Sequence, residues 1–122
     1  MKQQALIVLL ALAVLAIVIV PLRGQAPPQS QSAYAYINTA TTTVVRGNAG
    51  YLNSLTINGG TAGVVTLYDI GQGGCTGTPA SGKFAVIAAL TGNPVTLDYN
   101  LHTNNGICVV TAAATDVTVA YN

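Results

Sequence analysis

Apolar and polar positions follow one rule at the start of the chain and another beyond it. Residues 5–20, ALIVLLALAVLAIVIV, contain no charged or polar side chain. As a helix rising about 1.5 Å per residue this run is roughly 24 Å long, and extension to Leu22 brings it close to the ~30 Å hydrocarbon layer of a bilayer. The pattern predicts a single N-terminal hydrophobic helix over residues 1–22, with residues 5–22 meeting the lipid. Lys2 precedes the run, which places the N-terminus inside and the remainder of the chain outside the membrane. A cleaved export signal has the same orientation. Gly24 and Ala26 occupy the small-residue positions of a cleavage site, but Pro27 would follow the cut and disfavours it. A retained anchor is therefore the expectation, with a cleaved signal as the alternative.

Residues 23–38 form a transition. The stretch PLRGQAPPQSQS, residues 21–32, is rich in Pro, Gln and Ser and cannot build a core. Pro27 and Pro28 favour an extended polyproline geometry, so the segment reads as a stalk, or as a tail left by processing. At its end AYAYI, residues 33–37, puts Tyr34 and Tyr36 on one face and Ala33, Ala35 and Ile37 on the other.

From there the period is two. TTTVV (41–45), YLNSLTI (51–57), VVTLYDI (64–70), KFAVIAAL (83–90), PVTLDYN (94–100), GICVVTA (106–112) and DVTVAY (116–121) each read as a strand. The breaks between them, such as RGNAG, NGGTAG and HTNNG, are dense in Gly and Asn, which reach positive φ at little cost. KFAVIAAL has helical propensity but fits the strand rhythm. The fold class expected over residues 39–122 is all-β, an antiparallel β-sandwich, with jelly-roll and immunoglobulin-like topologies equally open.

Composition sharpens this picture. Only 6% of the 122 residues are charged, against about a quarter in ordinary soluble domains. A surface of Thr, Asn, Gly and Ser lacks the charge repulsion that keeps proteins apart, and fits a subunit packed against others. The net charge of +1 has no basic cluster behind it, so nucleic acid is not an expected partner.

Cys75 and Cys108 are the only cysteines, both on the side expected to be outside the membrane, and an even count in a small exported domain favours a disulfide. Two separate buried thiols are the alternative. His102 follows Asp98 by four residues, and a triad with Asp116 and Ser54 or Ser81 can be drawn, yet triads are defined by geometry and a solvated turn histidine is the simpler reading. Asp69, Asp98 and Asp116 are the only carboxylate side chains, too few for a calcium loop or a paired-carboxylate hydrolase. GQGGCTG lacks the Lys-Ser or Lys-Thr pair of a phosphate loop. No catalysis, cofactor or metal is expected. The tyrosines at 34, 36, 51, 68, 99 and 121 read as core and edge packing, or as a partner-binding or sugar-binding surface. Tyr34, Tyr36 and Ile37 are the candidate assembly residues, because their strand could add to a neighbour's open sheet edge.

The stretches GYLNSLTINGGTAGVVTLYDI, GKFAVI and LDYNLHTNNGICVVTAAATDVTVAY resemble a group of small bacteriophage structural proteins. The resemblance implies a compact β-sandwich placed on a virion surface, in a tail or in an accessory fibre. The apolar start departs from that group and points toward a virus with a lipid layer. The expected function is a membrane-anchored capsid or spike component working by contacts with other virion proteins, as a homo- or hetero-oligomer. An exported pilus-like or adhesin subunit with a cleaved signal, and a carbohydrate-binding host-recognition module, are the alternatives.

Overall fold

The computed structural model describes residues 32–88 and 94–122. The hydrophobic helix expected over residues 1–22, nearly all of the stalk, and the end of the 83–90 run lie outside the described residues. Among the described residues no helix is long and apolar enough to cross a membrane. Among the described residues there are eight strands: β1 (Ala33–Ile37), β2 (Thr41–Arg46), β3 (Gly50–Gly60), β4 (Val64–Tyr68), β5 (Lys83–Ala88), β6 (Val95–Thr103), β7 (Ile107–Thr111) and β8 (Thr115–Tyr121). One short 3-10 turn, Gln72–Gly74, sits between β4 and β5.

The strands make two antiparallel four-stranded sheets, the first in the order β1-β8-β3-β6 and the second in the order β2-β7-β4-β5. β1 pairs with β8, β2 with β7, β3 with β6 and β4 with β5. The chain is thus one long hairpin with its tip between β4 and β5, wound so that successive pairs alternate between sheets. β3·β8 and β4·β7 pairing completes each sheet.

Period-two alternation gives each strand one apolar side, and the two sheets share the core those sides create. Leu52, Leu55, Ile57, Val117, Val119 and Ile37 come from the first sheet, and Val45, Val65, Leu67, Ile107 and Val109 from the second. Each fully buried aliphatic side chain contributes roughly 1.5–3 kcal/mol relative to an exposed one. Phe84 on β5 meets Tyr99 on β6 edge-on, with ring centroids 6.3 Å apart, where the margins of the two sheets approach. Desolvation there raises the Tyr99 phenol above its ordinary pKa.

One feature of β3 departs from simple alternation. Strict period two sets Leu52 and Leu55 on opposite faces, yet both are fully buried. The register shifts between Leu52 and Ser54 against both β6 and β8, so one extra residue is absorbed and both leucines turn inward. On β6 the opposing irregularity contains Asn100 at φ 46°, a left-handed conformation that Asn tolerates better than most residues.

The first sheet begins at Ala33, within the segment expected as stalk or exchangeable strand and ahead of the expected domain start at residue 39. The link from β1 to β2 crosses between sheets and is held by Thr111, whose hydroxyl accepts from the Thr41 amide at 3.0 Å and lies 2.5 Å from the Thr39 carbonyl.

Candidate functional site

The outward side of the first sheet gathers a network of hydrogen-bonded polar side chains. Its position follows from the same alternation that builds the core. With Ile37, Val117, Val119, Leu55 and Ile57 turned in, their neighbours Tyr34, Tyr36, Asp116, Thr118, Ala120, Ser54, Thr56 and Asn58 are turned out. Tyr36 aligns with Thr118, Thr118 with Thr56, and Thr56 with Thr96; in the next row Tyr34 aligns with Ala120, Ala120 with Ser54, and Ser54 with Asp98.

Tyr34 is 70% exposed and Tyr36 62%, so both rings stand above a floor of small side chains. The Tyr36 hydroxyl donates to Asp116 Oδ2 at 3.0 Å. Asn58 Nδ2 donates to Asp116 Oδ1 and to Thr118 Oγ1, each at 3.0 Å. The hydroxyls of Thr56 and Thr96 are 2.9 Å apart. The bond to Asp116, then desolvation and the nearby carboxylate charge, raise the Tyr36 phenol above its usual pKa. At the far end of the face Tyr51 and His102 stack edge-on with centroids 4.9 Å apart.

The other polar cluster is structural. Asp69, just beyond β4, accepts backbone N–H groups of Asn105 at 2.7 Å, Asn104 at 3.0 Å and Gly106 at 3.2 Å. Desolvation pushes this carboxyl up, but the three amides outweigh it and hold the group below its ordinary pKa. They fix the β6–β7 turn against the end of β4. Gly106 is required there: at φ 152°, a Cβ would lie 2.6 Å from the Arg46 carbonyl oxygen and 2.8 Å from that of Ile70.

Cys75 and Cys108 form a disulfide that pins the loop between β4 and β5 onto the outer side of the second sheet. Tyr68, Cys75 and Cys108 are buried together there, with Ile70 and Val110 against them. The glycine-rich GQGGCTG segment is thereby the cover of a small second core.

Ile37 is a core residue, while Tyr34 and Tyr36 are exposed on the edge strand of their own sheet. No hydrogen bond joins His102 to Ser54, Ser81, Asp98 or Asp116 among the described residues, and Asp116 instead serves Tyr36 and Asn58. Asn58 and the grip of Asp69 on the β6–β7 turn escaped the sequence reading. The outward phase of β3 and β8 was the available signal for Asn58. Comparison of the chain with protein-family models, with curated proteins and with solved structures finds no match.

Proposed function

We propose that the chain is a structural subunit of a bacteriophage virion, anchored in a lipid layer by residues 5–22 with its β-domain on the outer side. It works by assembly. The observation that carries the mechanism is a contrast among the four edge strands. β2 ends in Arg46 and has a register shift, β5 begins with Lys83 and has one, and β6 contains Asp98 and has one. Charges and irregularities of this kind keep sheet edges from pairing with other chains. β1 has neither: AYAYI is uncharged, lacks proline, and runs against β8 in unbroken register. Among the described residues β8 is its one neighbour, which leaves the other side of β1 as a template to which a neighbouring chain's strand can add through backbone hydrogen bonds.

The winding of the sheets supports the same reading. Nested pairing from β1·β8 inward to β4·β5, alternating between sheets, favours a jelly roll over an immunoglobulin-like order, and viral capsid domains are among the proteins built that way. Fold alone does not assign function. Low charge adds to it, since of the five charged side chains beyond residue 31, Asp69 is tied to the β6–β7 turn, Asp116 to Tyr36 and Asn58, and Arg46 to the Ala49 carbonyl.

The test is the composition of purified particles. A species of 12.4 kDa, full length or lacking only Met1, should copurify with lipid-bearing particles. A monomeric secreted species beginning near Pro27 and absent from particles would refute the proposal.

A further inference from the structure

The outward face of the first sheet carries chemistry that edge-to-edge assembly does not use. Assembly through β1 engages its backbone in the plane of the sheet, whereas Tyr34 and Tyr36 project perpendicular to that plane. We propose that this face binds an uncharged oligosaccharide, with Tyr36, Tyr34 and Asn58 as its principal contacts.

Four strands at about 4.8 Å spacing make a floor roughly 14 Å across. Its central positions, Ser54, Thr56, Thr118 and Ala120, are small, while Tyr34 and Tyr36 rise along one margin and Tyr51 with His102 at one end. The result is a shallow open shelf, suited to a flat extended ligand. Two exposed aromatic side chains at alternate positions of one strand, about 7 Å apart along it, can stack against the C–H surface of pyranose rings.

The polar groups of the face are fixed in direction. A sugar is recognised by planar side chains that present donors and acceptors in fixed directions. Asn58 uses Nδ2 on Asp116 and Thr118, so its carboxamide is locked and its carbonyl oxygen is directed away from both as an acceptor. Asp116 accepts one bond on each oxygen, and each oxygen retains a second lone pair. Tyr36 is held by its own hydroxyl, so its ring is positioned before any ligand arrives and loses little freedom on binding.

Charge selects the class of sugar. The carboxylates of this face are Asp98 and Asp116, while Arg46 and Lys83 belong to strands of the second sheet. Sulfated or uronic-acid glycans would meet like charge at Asp98 and Asp116, and among the described residues this face presents no Lys or Arg to offset it. A neutral saccharide meets no such penalty.

The inference rests on the face alone and not on the virion reading. If β1 also joins copies edge to edge, neighbouring shelves would lie side by side and add avidity.

The experiment is isothermal titration of the full-length chain, held in a polyoxyethylene detergent that carries no sugar, with neutral cello-, malto- and chito-tetrasaccharides and with a sulfated tetrasaccharide. At least one neutral tetrasaccharide should bind and the sulfated one should not. Tyr36→Ala and Asn58→Ala should each weaken binding about tenfold, and Val86→Ser on the outer side of the second sheet should leave it unchanged. Circular dichroism and the melting temperature verify that each variant is folded. Absence of binding by all neutral tetrasaccharides, preference for the sulfated one, or full affinity in both the Tyr36→Ala and Asn58→Ala proteins would overturn the proposal. So would protection of this face by a second copy of the chain without sugar, measured by hydrogen exchange. Failure here leaves assembly through the β1 edge intact, and the particle analysis reads that separately.

Discussion

Reduction of the Cys75–Cys108 disulfide is the perturbation whose magnitude follows most directly from the fold. The bond closes a loop of 33 residues that contains β5 and β6. Chain-entropy theory assigns such a crosslink about 3.7 kcal/mol, through the conformations it removes from the unfolded state. In the folded state Tyr68, Ile70 and Val110 still pack around the two sulfurs after reduction, so little of the loss is lost contact. For a domain of this size the total stability is only about 5–15 kcal/mol, so the crosslink is a large share of it. With a urea dependence of roughly 1–1.5 kcal/mol per molar, the unfolding midpoint should fall by about 2.5–4 M when the protein is fully reduced with a phosphine. The melting temperature should fall by roughly 15–30 °C. Access makes a second, kinetic prediction. Cys108 is 0% exposed and Cys75 5%, so the reductant must wait for the β4–β5 loop to lift. Thiol trapping should therefore show slow reduction in native buffer that accelerates in sub-denaturing urea. A midpoint shift below about 0.5 M would show that the crosslink does not restrict the unfolded chain as argued, and reduction as fast as that of an unfolded peptide would refute the buried placement.

Two other predictions test the turns that hold the sheets together. Asp69 titrates below its unfolded value, so its contribution is present above the ordinary carboxylate pKa of about 3.9 and is lost as pH falls through the lower folded value. Asp69→Asn should cost roughly 1–2 kcal/mol at neutral pH, after allowance for solvent access, and should flatten the acid limb of a stability-against-pH curve; an unchanged curve would contradict the role assigned to its three backbone contacts. Thr111→Val keeps the side-chain volume but deprives the Thr41 amide and Thr39 carbonyl of their partner, so urea denaturation should register a loss of about 1–3 kcal/mol, and a neutral effect would mean the β1–β2 link does not depend on it.

Alternation and turn chemistry made the strands legible. VVTLY, KFAVIA and ICVVT lie where period two and their Gly-rich flanks place them. The disulfide was legible too, because an even cysteine count in a small domain read as exported favours pairing. Three features were not. The register shift at Asn53 depends on how β3 meets β6 and β8 at once, and YLNSLTI read alone gives Leu52 and Leu55 opposite faces. The pairing of β1 with β8 joins residues 80 or more positions apart, and local patterning has no access to such separations. The bond from Tyr36 to Asp116, with Asn58 on the other carboxylate oxygen, is likewise a product of strand order, since the three residues come from β1, β8 and β3.

The β1 edge is the point at which the assembly account stands or falls, and amide hydrogen exchange reads it directly. In dispersed protein, those amides of Ala33–Ile37 that do not bond to β8 should exchange quickly, and in intact particles they should become protected by orders of magnitude while the guarded edge strand β5 stays unchanged. Equal exchange of β1 in dispersed and assembled protein would contradict the claim that this chain joins its neighbours through that edge.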